Sequence, residues 1–205
     1  AREAPVEADI VVPVPDSGVP AAIGYSQQSG IPFELGIIRS HYVGRTFIQP
    51  GQGQRNSSVK RKHNANRLLV EGKRIVLIDD SIVRGTTSLK IVQMMRDAGA
   101  TEVHFRVASP PTGHGCYYGV DTPERSELLA GRMDGEAMRE YIKADSLAFV
   151  SIDGLYRAVG LKGRNGKCPQ YCDACFTGDY PTSLTDLAAR ADDGKQLSFP
   201  VNRVA

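Results

Sequence analysis

The chain lacks three things, and each absence removes a class of function. No run of apolar residues is long enough to cross a membrane. Net charge is only +2 over 205 residues, so no overall basic excess announces a nucleic-acid partner. There is neither a signal-peptide pattern nor an initiating Met, and the chain reads as a fragment of a larger cytoplasmic polypeptide. Cysteine is scarce, with four residues at Cys116, Cys168, Cys172 and Cys175. In a cytoplasmic protein such clustering points to a metal or cluster rather than to disulfides. Four thiolates could complete a structural zinc site, and four unligated thiols are the plain alternative.

What is present is an ordinary globular composition, enough for one sizeable core and an appendage. β-Rich apolar runs predict strands over Ile10 to Val14, Phe33 to Ile38, Arg74 to Ile78, Val103 to Ala108 and Leu147 to Ile152. Helices are predicted over Val19 to Ser29, Thr86 to Ala98 (stopped by Gly99), Glu124 to Ala130 and Gly135 to Ala144, with a short basic helix at Ser57 to Asn66. This alternation implies an α/β fold, a mostly parallel twisted sheet with helices on both faces. Residues 1–160 carry it. From Leu161 the pattern fails, and 161–205 reads as a loop-rich, cysteine-containing tail with a short helix near Leu184 to Arg190.

One stretch carries most of the chemistry: Val76-Leu77-Ile78-Asp79-Asp80-Ser81-Ile82-Val83-Arg84-Gly85-Thr86-Thr87. An apolar run reads as a buried parallel strand, ends in adjacent carboxylates, and passes through a small hydroxyl- and glycine-containing turn into a helix. Free amides and hydroxyls from Ser81 to Thr87 suit a phosphate at the positive end of the helix dipole. Asp79 and Asp80 suit ribose hydroxyls or Mg²⁺. In a parallel sheet such loops gather beyond the carboxyl ends of the strands. Pro13-Val14-Pro15-Asp16-Ser17-Gly18 sits at the same edge and again places a small turn before a helix. Between Arg39 and Arg74 lie Arg45, Arg55, Lys60, Arg61, Lys62, Arg67 and Lys73 against the single acid Glu71. Within that region Tyr42 to Asn56, rich in Gly, Gln and Arg, has no helical period and reads as a long hairpin or a mobile lid.

The order Asp-Asp-Ser-Ile-Val-Arg-Gly-Thr-Thr resembles the phosphoribosylpyrophosphate (PRPP) loop of type I phosphoribosyltransferases. With Tyr42-Val43-Gly44-Arg45-Thr46-Phe47-Ile48-Gln49-Pro50, Ser58-Val59-Lys60-Arg61-Lys62, Tyr118-Gly119-Val120-Asp121-Thr122-Pro123 and Asp153-Gly154-Leu155, the likeness narrows to the glutamine PRPP amidotransferase family. It runs from about Ala8 to Gly160 and continues through Cys175-Phe176-Thr177-Gly178-Asp179-Tyr180-Pro181. The resemblance implies a type I phosphoribosyltransferase fold and the first committed step of purine synthesis, in which PRPP and glutamine-derived ammonia give 5-phosphoribosylamine, pyrophosphate and glutamate. It implies pyrophosphate contact by Asp16, Ser17 and Gly18, with Ser17, Asp79 and Asp80 around Mg²⁺. It further implies catalysis by Asp79, Asp80 and Arg45 of the lid, and 5-phosphate binding by Ser81, Ile82, Val83, Arg84, Gly85, Thr86 and Thr87. Ammonia is already a nucleophile, so His41, His63, His104 and His114 are given no catalytic part.

The family makes its ammonia in an N-terminal glutaminase domain that has no counterpart in these residues, so the fragment should use free ammonia only. Some members bind a structural 4Fe-4S cluster, and Cys116, Cys172 and Cys175 match three of its four ligand positions. The remaining ligand lies upstream, so either Cys168 substitutes or the site is incomplete here. The family also implies a homo-oligomer and feedback inhibition by purine nucleotides. Two other readings compete. A PRPP-sensing regulator would show a missing lid or a DNA-binding appendage, and neither pattern is visible. A salvage phosphoribosyltransferase would want an aromatic base-stacking segment after the PRPP loop, which the sequence does not offer.

Overall fold

The computed structural model describes residues 1–40 and 63–184. Four strands form one parallel sheet: β1 (Ile10–Pro13), β4 (Arg74–Asp79), β5 (Glu102–Val107) and β6 (Ser146–Phe149), in the spatial order β1-β4-β5-β6. Register is set by apolar rows that meet across the sheet, with Ile10 opposite Ile75, Ile75 opposite Val103 and Phe105 opposite Leu147. Because side chains alternate along a strand, each run feeds both faces. Ile10, Val12, Ile75, Leu77, Val103 and Phe105 enter one core, while Val11, Val76 and Ile78 enter a smaller one on the opposite face.

Helices cover both faces as the alternation predicts. Helix α1 (Val19–Ser29) lays Ala22 and Tyr25 on the smaller core. After the antiparallel pair β2 (Ile37–Arg39) and β3 (His63–Ala65), a single turn α2 (Arg67–Val70) buries Val70 and leads into β4. The larger core is sealed by α3 (Thr86–Asp97), whose Ser88, Ile91, Val92 and Met95 are buried at helical spacing. The short α4 (Leu129–Arg132) and α5 (Gly135–Ile142) add Leu129, Met138 and Ile142 to it. Among the described residues no helix is long and apolar enough to cross a membrane.

Several predicted elements change on the page of the fold. Val19–Ser29 is a helix as expected, and the strand predicted at Arg74 to Ile78 is extended by Asp79. Phe33, expected to open a strand, makes only an isolated bridge with Val11, and the strand begins at Ile37. The basic helix expected to end at Asn66 is overturned where it is described: His63–Ala65 pairs with β2 instead, because its partner strand supplies the hydrogen bonds a lone short helix would lack. Glu124 to Ala130 breaks into a 3₁₀ turn (Arg125–Glu127) and α4. The last strand ends at Phe149, and Ile152, expected within it, starts helix α6 (Ile152–Ala158) because Ser151 accepts from the Gly154 N–H as an N-cap. Tyr42 to Asn56, the lid with Arg45, and the helix expected from Leu184 to Arg190 fall outside the described residues, Leu184 excepted.

Residues 161–184 carry one short helix, α7 (Ala174–Thr177), and are tied to the domain by polar contacts. Asp173 is buried, and its carboxylate accepts from Arg164 Nε at 2.5 Å and from the Tyr156 hydroxyl of α6 at 2.9 Å. Arg164 also reaches Asp179 at 3.1 Å. The Gly113 and His114 amides both donate to the Cys175 carbonyl at 3.1 Å, and the Tyr180 hydroxyl donates to the Gly115 carbonyl at 2.7 Å. Arg164, beside two acids, holds the Asp173 carboxyl below the usual carboxylate range. Asp173→Asn leaves Arg164 only the exposed Asp179 and takes the charged acceptor from the Tyr156 hydroxyl. It should lower the unfolding free energy by about 2 kcal/mol in urea titrations, and a variant as stable as wild type would show that the tail is held by something else.

Candidate functional site

Two loops meet at the carboxyl end of the sheet, and the strand pair β1–β4 is what brings them together. Beyond β1 the Val14 amide donates to the Ile78 carbonyl at 2.7 Å, which extends the ladder by one residue. The chain then turns through Pro15, Asp16 and Ser17, with a cis Pro15–Asp16 peptide. At Gly18 it passes so close to β4 that a Cβ would lie 2.4 Å from the Ile78 carbonyl oxygen and 2.8 Å from that of Val14. Only glycine allows this approach. Ser17 is exposed beside it, and α1 starts directly after.

The second loop leaves β4 at Asp79. Asp79 is 6% exposed, whereas Asp80 faces solvent. The Asp80 amide donates to Asp79 Oδ1 and the Ser81 amide to Asp80 Oδ1, each at 2.9 Å, so the acid pair itself shapes the start of the turn. Burial, and then the hydrogen bond and charge of Asp80, push the Asp79 carboxyl up to about 8. A desolvated carboxyl beside a second one is a donor set suited to a divalent cation, whose charge would favour the ionised pair. The Ile82 side chain is in the core, so whatever Ile82 offers a ligand comes from its main chain. Gly85 adopts φ 76° as the N-cap of α3. Thr86 and Thr87 open that helix.

Among the described residues four helices have seven residues or more, and their starts differ in a telling way. At α5 and α6 a side chain caps the N-terminus, from Asp134 and Ser151. At α1 and α3 the N-cap is glycine and no side chain caps the helix. First-turn amides have no partner within their own helix. The two uncapped ends belong to the Pro15–Gly18 and Ser81–Thr87 loops, which flank Asp79 and Asp80. The arrangement can receive two anionic groups on main-chain amides with a hydroxyl- or cation-binding acid pair between them.

The predicted residues of both loops are thus brought to one edge. Asp16 is turned toward Arg39, with which it forms an ion pair. Arg84 is paired with Glu127 at 2.8 Å. Arg45 lies outside the described residues. Some neighbours were not singled out from the sequence. Arg39 on β2 and His63 on β3, whose Nε2 lies 3.4 Å from the Pro15 carbonyl, both touch the first loop. Their place in the basic run was visible, but their pairing partner was not. His104 is buried between Glu102 and Ser146, each at 2.9 Å, and the His114 ring packs on Gly178.

Cys116, Cys172 and Cys175 sit elsewhere, where the tail meets the 113–118 loop. Cys116 and Cys175 are partly buried, and Cys168 and Cys172 are exposed. Burial, followed by Cys116 and Cys172, pushes the Cys175 thiol up. Among the described residues no group of three or more His, Cys, Asp or Glu is placed to hold a metal ion.

A model of the phosphoribosyl transferase domain matches residues 2–118. The amidophosphoribosyltransferase of Rhizobium etli is 66% identical over 187 residues, covering 91% of this chain and 38% of that protein. The Bacillus subtilis amidophosphoribosyltransferase is 54% identical over 184 residues, covering 90% of this chain and 38% of the relative. The solved glutamine PRPP amidotransferase of B. subtilis, complexed with ADP and GMP, matches with a TM-score of 0.78 at 54% identity over 89% of this chain and 40% of its own. The chain therefore spans about two fifths of the length of these relatives. The parallel sheet with helices on both faces is the type I phosphoribosyltransferase fold.

The buried Asp79 makes a pH prediction. Its folded-state pKa is raised to about 8, whereas the unfolded group loses its proton near the usual carboxylate value. Between the two the unfolded chain binds fewer protons, so stability falls as pH rises from about 4 to about 8. Asp79→Asn should abolish that fall and, in the ligand-free protein at about pH 8, raise the unfolding free energy by on the order of 3 kcal/mol. Denaturant titrations across this range that show wild type and variant running parallel would remove burial as the cause.

Proposed function

The chain belongs to the phosphoribosyl transferase domain family, and from that premise we propose that it is the phosphoribosyl-transferring part of an amidophosphoribosyltransferase. The reaction joins ammonia to C1 of PRPP, giving 5-phosphoribosylamine and pyrophosphate, the first step of purine synthesis. One observation carries the reading: two uncapped helix N-termini flank a buried–exposed aspartate pair at one edge of the sheet. The 5-phosphate suits the Ser81 hydroxyl and the amides and hydroxyls from Ile82 to Thr87, with Ile82, Val83, Arg84 and Gly85 contributing through their backbone, while the Ser81 amide is held by Asp80. The pyrophosphate suits the amides of Asp16 and Ser17 and the Ser17 hydroxyl, with Gly18, whose amide donates to the Val14 carbonyl at 2.9 Å, contributing its lack of a side chain. Asp79 and Asp80 lie between, where the ribose hydroxyls would be.

Bond making and breaking follow from that placement. The C1–O bond to pyrophosphate breaks, positive charge develops on the ribose ring, and the ammonia lone pair closes on C1 before a proton is lost. Asp79 and Asp80 face the developing positive charge and hold the hydroxyls. The amides of the first loop, with Ser17, receive the leaving group. Ser17, Asp79 and Asp80 would hold Mg²⁺, which when bound offsets charge on the pyrophosphate. Arg45 is proposed as a further cation on that leaving group. No general base is required, because ammonia needs no activation.

Other parts of the reading rest on the relatives. Glutamine as the ammonia source would need a glutaminase domain, and purine nucleotides as feedback ligands are suggested by the B. subtilis structure bound to ADP and GMP. Assembly into a homo-oligomer is proposed from the family resemblance, and a cytoplasmic setting from the sequence. For a 4Fe-4S cluster on Cys116, Cys172 and Cys175 the support is the resemblance alone. Their present placement does not form a metal-holding group, so no step is derived through a cluster. Iron and sulfide counted in anaerobically purified protein decide the matter, and protein with neither would retire the cluster.

Pyrophosphate release with PRPP and Mg²⁺ should be driven by ammonium salts and not by free nucleobases. Asp79→Asn and Asp80→Asn should each lower kcat/KM on the order of 100-fold. Release driven by a nucleobase instead would turn the reading toward a salvage enzyme.

A further inference from the structure

The phosphate loop is braced from behind by a segment to which the reaction above gives no part. Three consecutive loop residues each have a tie to it. The Val83 carbonyl accepts from the Leu129 amide at 2.8 Å. The Arg84 guanidinium donates to Glu127 Oε2 at 2.8 Å. At Gly85 a Cβ would lie 2.6 Å from Leu129 Cδ2 and 3.1 Å from Tyr141 Cε1, so loop backbone and brace are already in contact. The brace is firm at one end, because Leu128 and Leu129 are fully buried. It is polar at the other, where Glu127 ends the 3₁₀ turn.

Arg84 is the sole cationic side chain between Asp79 and Thr87. In a loop facing a phosphate an arginine is readily taken for a phosphate ligand, since its fork matches phosphate oxygens. Here its side chain is committed to Glu127. Main-chain amides can serve a phosphate only when successive peptide planes are held in one orientation, and fixing them beforehand spares the ligand the cost of ordering them.

We propose that Glu127 is a positioning residue for the phosphate loop. By engaging Arg84 it holds the backbone of Val83 to Gly85 in the shape that presents amides to a sugar phosphate, and Arg84 is a strut rather than a phosphate ligand. The proposal rests on the function proposed above for this loop, but the bracing is measurable without it.

The experiment compares wild type, Glu127→Gln, Arg84→Gln and the double variant in two assays. Hydrogen exchange of the amides from Ile82 to Thr87, in ligand-free protein, should quicken about threefold in Glu127→Gln, in proportion to a half-exposed ion pair. In ammonium-driven pyrophosphate release KM for PRPP should rise about threefold in each single variant while kcat stays within about 1.5-fold, and the double variant should be no worse than either single one. Thermal midpoints are measured alongside. Unchanged exchange in Glu127→Gln overturns the proposal, as does a lowered midpoint with KM untouched. So does a far larger loss for Arg84→Gln combined with a lower KM for Glu127→Gln, which would make Arg84 the ligand. Wild type that releases no pyrophosphate would sink the assigned reaction, and the exchange measurement would still decide the bracing.

Discussion

The close passage of Gly18 over the end of β4 is the constraint on which the site depends. The Val14–Ile78 hydrogen bond brings the two chains into register, and the absent side chain at Gly18 lets the backbone settle against two carbonyl oxygens. Asp79 follows Ile78 directly. The separation between the loops that follow β1 and β4 is therefore tied to the spacing of adjacent strands, about 4.8 Å, and not to any flexible connection. A site of this kind is rigid because sheet pairing is rigid. Its chemistry is carried by loops, but their footing is the most buried part of the molecule.

The same edge leaves two kinds of free energy unclaimed. Helices α1 and α3 begin without the capping side chains that α5 and α6 have, and a carboxyl is held away from water with a second one beside it. Each is a cost in the ligand-free protein. Each is also relieved by the same partner, an anion at the helix ends accompanied by a cation or hydroxyls at the acids. The opposition of stability and function is local here, confined to the residues from Asp16 to Gly18 and from Asp79 to Thr87.

Much of this was legible in the residues. Apolar runs of IVVP and RIVLID type, bounded by turn residues, announce buried parallel strands, and α1 follows from a helical period stopped by Gly30. The turn from β4 into α3 was legible because its order is dictated locally, strand then acids then glycine N-cap. What escaped depends on contacts distant in sequence. His63 to Ala65 is a strand only because Ile37 to Arg39 lies alongside, which a basic, helix-compatible stretch does not disclose. Glu124 to Ala130 has helical residues throughout, yet it breaks where the chain must place Glu127 and Leu129 against the loop from Val83 to Gly85. The Asp16 carboxylate is paired with Arg39 from a strand that local pattern could not position.

The pairing of Arg39 with His63 across β2 and β3 has a consequence for how this protein could vary or be engineered. The two residues stand opposite each other beside the Pro15–Gly18 loop and hold both ends of the intervening polypeptide at neighbouring points. Any stretch of chain inserted between such abutments departs and returns at the same doorway, whatever its content. The entropic toll for lengthening it grows only logarithmically, about 0.6 kcal/mol for each doubling. That makes the span between these abutments a natural graft point, where a sequence of different length could be exchanged while the sheet, the acid pair and the loops after β1 and β4 stay as they are.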